Sequence, residues 1–497
     1  VSLQVLCGLS NRMIPVPLKP SSRSRFHTHE ITNQFYNFEV SIDTTVIKKF
    51  RFVVIANGER YETDMHFSNR VPFRRRRNDS LIRDKKELRY SFRDLNLNSA
   101  DAAKRKLWLF QKIALEDIGS AIKQYRLEAK KKRTSPIWLY YDCKNVRKDN
   151  SFYQFEHDVY KNDGIQRFYI LDGDDFKERK KEFPAALQKH IVRFGSRKHV
   201  NLFLIAEWII MSFAEEYTYL PMEMKAFKKY SYVLNFPKTV YLQHGVLHAH
   251  LPWHYSLDRV KIDKEVISTY YEEENLIENY GFDRNHLIQA GMPRYDCIDL
   301  SQKPRKKILY APTWRRYLID RKENDWVCDV DGFVNSSFYK SVMRFINDDR
   351  LDKALEAHGY TLDIQLHPIF KGYNSTIRTE SGRVNLITDD INVTDYEIFI
   401  TDFSSFVFDF VYLSRKILYF VPDYDFFKSG MSGYCRLDLP LEEGFGPFVQ
   451  NEEDAVDQLI EMMDAPMSPR YLQKMQGFFM YKDNRQRDRI YEALKEV

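Results

Sequence analysis

The 497-residue sequence is poor in cysteine, and its five (Cys7, Cys143, Cys297, Cys328 and Cys435) lie far apart with no CxxC pair. That argues against a paired disulfide framework and points to a reducing compartment with free thiols. No apolar run approaches the ~20 residues that cross a bilayer. The opening Val1 to Leu9 is mildly apolar, but it lacks a basic start and meets Asn11 and Arg12 at once, so it does not read as a signal peptide. No P-loop, GxGxxG or GxSxG occurs, which removes the common phosphate-loop, dinucleotide and serine-hydrolase signatures. Neither sign of charge dominates: 76 Lys and Arg stand against 70 Asp and Glu, a net charge of +6. The basic runs at 74–77, 130–133 and 177–181 are nearly balanced by scattered acids, and no nucleic-acid partner is expected.

Aromatic residues are plentiful, at 15% with 36 Phe and 32 Tyr. The length exceeds one core, so about three domains are expected. Residues 35–70 alternate as strands do, with Asn57-Gly58 as a hairpin turn, and predict a small β-rich domain. Residues 99–133 predict one long helix, with Ser99 as N-cap and a basic end suited to a helix C-terminus or to acidic lipid.

From Ile137 the pattern becomes alternating strand and helix. Apolar runs recur at Ile137 to Tyr141, Phe168 to Leu171, Trp208 to Met211, Val240 to Leu242 and Val266 to Ser268. A second series follows Pro304, at Ile308 to Tyr310, Leu362 to Leu366, Ile398 to Ile400 and Ile417 to Phe420. Two such series predict two parallel-sheet α/β domains facing across a cleft. Ligands of such sheets bind beyond the carboxyl ends of the strands.

The residues just past those ends are chemically distinctive. His244-Gly245, Pro312 to Arg316, His367-Pro368 and Asp402-Phe403-Ser404-Ser405 each follow a strand. Imidazole takes a proton from an alcohol near neutral pH. Arginine and a helix start neutralise phosphate oxygens. Together they suit attack of an alcohol on an activated phosphate or sugar, with a nucleotide leaving. Each piece alone has a plainer reading, as a structural histidine, a helix cap or a solvated arginine pair. His244, His248, His250 and His254 lack HExxH spacing and a nearby cysteine, so zinc is not expected. The acidic run Asp172 to Asp175 reads as a solvated loop rather than a magnesium site.

These segments resemble the CDP-glycerol glycerophosphotransferase family, the teichoic acid and capsule polymerases of bacteria. The resemblance runs over residues 136–450. It is carried by Tyr140-Tyr141-Asp142 with Lys148-Asp149-Asn150-Ser151, where Ser151 replaces the usual glycine, and by Gln243-His244-Gly245-Val246. Gly291-Met292-Pro293-Arg294-Tyr295-Asp296, Tyr310-Ala311-Pro312-Thr313-Trp314-Arg315, His367-Pro368 and Thr401 to Ser405 with Phe408-Asp409 complete it. One departure stands out. Many members have Thr-Pro-Leu-Lys after His-Gly, where this chain has Val246-Leu247-His248-Ala249-His250-Leu251-Pro252-Trp253, a segment expected to face the acceptor.

The resemblance implies a GT-B fold, with an acceptor domain over 134–298, a CDP-donor domain over 299–480, and a C-terminal helix over 481–497 that packs back on the acceptor domain; the predicted β-rich domain and linker helix occupy 1–133. It implies transfer of glycerol phosphate or ribitol phosphate from a CDP-polyol to a lipid-linked or oligosaccharide acceptor, with CMP released, at the cytoplasmic face of the membrane and without an obligatory metal. His244 resembles the base and His367 the residue at the donor phosphates. Thr313, Arg315, Pro368, Asp402, Ser404 and Ser405 fall at the donor site, and Gly245 and Arg294 near it. A nucleotide-sugar glycosyltransferase on the same fold, and an inactive assembly factor at the membrane surface, are the alternatives.

Overall fold

The computed structural model describes residues 135–496, apart from 144–147, 174, 222–236, 258, 261, 323–324 and 432–434; before 135 it describes only the backbone of short strands. Among those, Lys49–Ala56 pairs antiparallel with Glu59–Tyr61, on either side of residues 57–58. The helix expected over 99–133 and the basic runs at 74–77 and 130–133 lie outside the described residues.

Runs such as Ile137–Tyr141 are apolar at every position because they are buried on both faces. Seven such strands form one sheet, in the order Ile191–Arg193, Gln166–Leu171, Ile137–Tyr141, Trp208–Met211, Lys238–Tyr241, Lys264–Ile267, Leu287–Gln289. All pairs are parallel. A second, six-stranded parallel sheet runs Val384–Leu386, Thr361–Ile364, Lys307–Tyr310, Ile398–Thr401, Lys416–Phe420, Phe448–Val449. In each sheet the chain winds to one edge, returns, and winds to the other. The reversal falls between Ile137–Tyr141 and Trp208–Met211 in the first sheet, and between Lys307–Tyr310 and Ile398–Thr401 in the second. Such reversals open a crevice above the sheet. The two doubly wound lobes make a GT-B architecture.

Helices cover both faces of each sheet, and their ends are written in the sequence. Thr269 and Glu272 form a reciprocal capping box for Tyr270–Asn279. Asp348 caps Asp349–His358, which Gly359 ends in the left-handed region at φ 71°. Two apolar clusters fill the first lobe and another fills one side of the second. A fourth joins the lobes: Val246, Met292 and Tyr295 pack with Phe399, Phe408 and Phe410.

The link between lobes explains the Gly-Met-Pro-Arg-Tyr-Asp segment. Gly291 has φ 90°, and a Cβ there would meet Gln486 Cγ at 2.7 Å. Tyr295 stacks on Tyr412 at 4.2 Å between centroids. Asp296 accepts from the backbone N–H groups of Gln486 and Arg487 at 2.9 and 3.0 Å, and so caps the last helix, Gln486–Lys495, from a distance. That helix buries Ile490, Tyr491 and Leu494 in the first lobe.

Candidate active site between the two lobes

The crevices of the two sheets face each other and form one cleft of about 570 Å³. Asp142 sits buried at the first reversal. It accepts from Ser212 Oγ at 2.5 Å, from Tyr169 Oη at 2.8 Å, and from the backbone of Asp149 and Phe152 at 3.1 Å. Burial, with the nearby Asp149 charge, pushes the Asp142 carboxyl up to about 6. Its hydrogen bonds fix the start of helix Asn150–Asp158, where Asp149 is the N-cap.

Asp149 has a second task. Its Oδ2 binds His244 Nδ1 across the cleft floor. The carboxylate is buried while the imidazole is 57% exposed, so Nε2 is the nitrogen offered to the cleft. Phe213 lies against the ring at 4.6 Å between centroids. Desolvation by the surrounding cleft walls opposes a charge on His244, but the Asp149 charge and hydrogen bond outweigh it and raise the pKa, with Arg294 opposing and Asp409 assisting.

The His244 turn is held under strain. Gln243 has φ 63°, a left-handed conformation that costs a non-glycine residue of order 1 kcal/mol or more. Asn150 Nδ2 donates to the Gln243 carbonyl at 2.8 Å, and Asn150 Oδ1 accepts from Arg294 N at 3.0 Å. Arg294 donates to the His244 carbonyl at 2.6 Å and to Asp409 Oδ1 in the second lobe at 2.8 Å. Four separated segments are thus stitched around one histidine. Ser151, in place of glycine, fits because its hydroxyl accepts from Tyr141 N and donates to the Ile210 carbonyl.

His367 faces this group from the second lobe. It caps the 3-10 stretch Pro368–Thr376, its Nδ1 accepting from Ile369 N at 3.2 Å. An accepting Nδ1 leaves the proton on Nε2, which makes that nitrogen a donor. Burial, and repulsion from His244, lower His367 to about 4, so it is neutral at working pH. Thr313, Trp314, Pro368, Ser404 and Ser405 line the same cleft. A Cβ on Gly245 would meet Ser405 Oγ at 3.0 Å, so the His-Gly turn and the serine pair touch across the lobes.

Two expected donor contacts are corrected. Arg315 is 0% exposed and does not line the cleft. It donates to Asp423 through Nε and Nη2 at 2.7 and 2.8 Å, and to Asp402 through Nη1 at 2.6 Å. Asp402 is equally buried and accepts from both Thr313 N and Thr313 Oγ1. Both side chains are spent on bracing the loop that presents Thr313, and the Thr313 hydroxyl proton is spent with them. The serine turn differs in one detail as well: Ser404 Oγ takes up the Phe406 N–H at 3.2 Å.

The segment 246–253 does more than face the cleft. Ala249 bridges Leu437 antiparallel, with His250 N to Arg436 O at 3.0 Å and Asp438 N to His248 O at 2.9 Å. His250 binds the Asp438 carboxylate and His254 binds Glu215, so these histidines are dispersed among separate partners. Asp149 and Trp314 stood in recognised segments without an assigned role. An acid before a helix reads as a cap, and nothing local shows that it also reaches residue 244.

Against known proteins, the family described as CDP-Glycerol:Poly(glycerophosphate) glycerophosphotransferase matches residues 124–496. The chain belongs to this family. A curated relative, the minor teichoic acid biosynthesis protein GgaB of Bacillus subtilis (strain 168), is 26% identical over 387 residues, which cover 73% of this chain. The chain spans 40% of that relative's length. Among solved structures, the wall teichoic acid polymerase TagF superposes with a TM-score of 0.54 at 15% identity, covering 80% of this chain and 98% of its own. A variant of TagF soaked with CDPG gives 0.53 at the same identity and coverage. The likeness to TagF is one of fold. No described helix is long and apolar enough to cross a membrane.

Proposed function

We propose that this chain transfers glycerol phosphate or ribitol phosphate from a CDP-polyol to a hydroxyl of a teichoic-acid-type acceptor. The observation that carries the reading is the Asp149–His244 pair facing a neutral His367 across one cleft. The acceptor oxygen attacks the β-phosphorus and its proton passes to His244 Nε2. A new P–O bond forms, the bridging P–O bond breaks, and CMP leaves. Asp149 orients the imidazole and stabilises the imidazolium that results. His367 Nε2–H hydrogen-bonds a phosphate oxygen without adding a charge, and Ser404 and Ser405 hold the diphosphate. Positioning and charge neutralisation supply most of the rate in such transfers. The reaction proceeds without an obligatory metal, on a lipid-linked acceptor at the inner face of the cell membrane.

The test is incubation with CDP-glycerol, CDP-ribitol and a panel of nucleotide sugars, with and without chelator. CMP release from a CDP-polyol in the presence of chelator is expected. Release of nucleotide from nucleotide sugars alone would replace this reading with glycosyl transfer.

A further inference from the structure

Beyond the two imidazoles the cleft continues over the first sheet, where Tyr241, Gln243, Tyr255 and Glu265 line it. Tyr241 and Glu265 are register partners on adjacent parallel strands, so their side chains share a face. Gln243, two residues past Tyr241, is 1% exposed, and its Nε2 donates to Glu265 Oε1 at 3.3 Å. A carboxylate only accepts, so the amide nitrogen faces Glu265 and the amide oxygen is the free end. That buried oxygen finds no partner among the described residues. Leaving such an acceptor dry and unpaired is costly unless a ligand brings a donor. Beside it, the Tyr255 ring lies parallel to Tyr241, 6.5 Å between centroids and 7° apart, with Tyr255 Oη held by Glu215.

This arm therefore offers acceptors and an aromatic wall. Among the described residues the lysine and arginine lining the cleft are Lys148 and Arg294, and both belong to the Asp149–His244 side. Burial keeps the neighbouring His248 uncharged, at about 4. A phosphodiester brings only acceptor oxygens to the Gln243 carbonyl. Hydroxyl groups donate to it and to the Glu265 carboxylate, and the C–H face of a ring packs on tyrosine.

We propose that this arm is an acceptor subsite for a neutral polyhydroxylated ring, a glycosyl unit, and not for a phosphate-bearing polyol terminus. The assignment rests on the reading of His244 as the acceptor-side base. The incoming ring presents one hydroxyl to His244 Nε2 and pairs others with Gln243 and Glu265.

The test uses the full chain with two probes. Saturation-transfer NMR with methyl hexosides and with glycerol 3-phosphate reads the subsite without turnover. CMP release from CDP-glycerol, with alkyl hexosides or alkyl glycerol phosphates as acceptors, reads the reaction. Hexoside binding and hexoside-dependent CMP release are expected. Glu265→Gln and Tyr255→Ala should each raise the hexoside KM by about tenfold or more while the CDP-glycerol KM stays within about twofold. Thermal melting accompanies both variants, and Tyr255→Ala removes the wall without touching the buried carboxylate. A preference for the phosphate-terminated acceptor, or an unchanged hexoside KM in both variants, overturns the subsite while keeping polyol-phosphate transfer. Hexoside binding with no CMP released from any CDP-polyol keeps the subsite and overturns the transfer.

Discussion

Replacing Arg315 with methionine separates a brace from a phosphate ligand. The guanidinium is fully buried and joined to two carboxylates that are themselves buried, Asp402 and Asp423. Its face also packs on Phe338 and Phe403, at 4.3 and 4.7 Å to the ring centroids. Removing it strands two negative charges with no water to take its place. Breaking one buried pair this way costs about 3–5 kcal/mol. At roughly 2–4 °C per kcal/mol for a lobe of this size, the second lobe should melt about 6–20 °C lower. The stranded carboxylates are the cause, so adding Asp402→Asn and Asp423→Asn should recover much of the loss. The acid side is also specific. Burial pushes the Asp423 carboxyl up, but Arg315 outweighs it and holds the pKa below the ordinary value. A depressed carboxylate contributes stability above its unfolded pKa of about 3.9, and that stability is lost as pH falls through the depressed folded value. In the methionine variant the acid unfolding limb should therefore move to higher pH. Thermal melts across pH, read beside the KM for CDP-glycerol, make the measurement. A variant that melts like wild type but has a selectively raised donor KM would show that Arg315 reaches the donor phosphates, and would refute the reasoning.

His244→Ala should lower kcat by roughly 10²–10⁴-fold, the worth of a placed general base, while CDP-glycerol binding by calorimetry is retained. The base works when neutral, so wild-type activity should fall as pH drops through the raised His244 value; Asp149→Asn should move that limb to lower pH and reduce the plateau by about 10²-fold or more. Ser404→Ala with Ser405→Ala should raise the CDP-glycerol KM with a smaller effect on kcat, and an unchanged KM would remove the serines from the diphosphate site. Gly245→Ala leaves only the Ser405 hydroxyl to rotate away, so Gly245→Ala with Ser405→Ala should be no worse than Ser405→Ala alone; Gly245→Val adds branches that press the lobes apart and should be far less active.

The strands legible in the sequence are the inner ones. Ile137 to Tyr141 and Trp208 to Met211 coincide with their strands to the residue. Four strands of the two parallel sheets were not legible: Ile191–Arg193, Leu287–Gln289, Val384–Leu386 and Phe448–Val449. All four are sheet edges. An inner strand is buried on both faces and must be apolar throughout, whereas an edge of two or three residues carries too few side chains to make a pattern. The site divides in the same way. His244, His367 and the serine pair were legible because each directly follows a strand. Arg315 looked identical by that criterion, yet its side chain turns into the core.

Sequence alone determined the repeated strand–helix order, the two parallel-sheet α/β domains, and which loops stand above the carboxyl ends, because burial and backbone geometry dictate those patterns locally. Tertiary structure alone decided which polar side chains face the cleft and which are consumed in holding it. Arg315 and Asp402 neutralise each other inside, while His244 is turned outward by Asp149, 95 residues away along the chain. A side chain's partner is a matter of distance in space, and charge pairing falls off too steeply with that distance for chain position to reveal it.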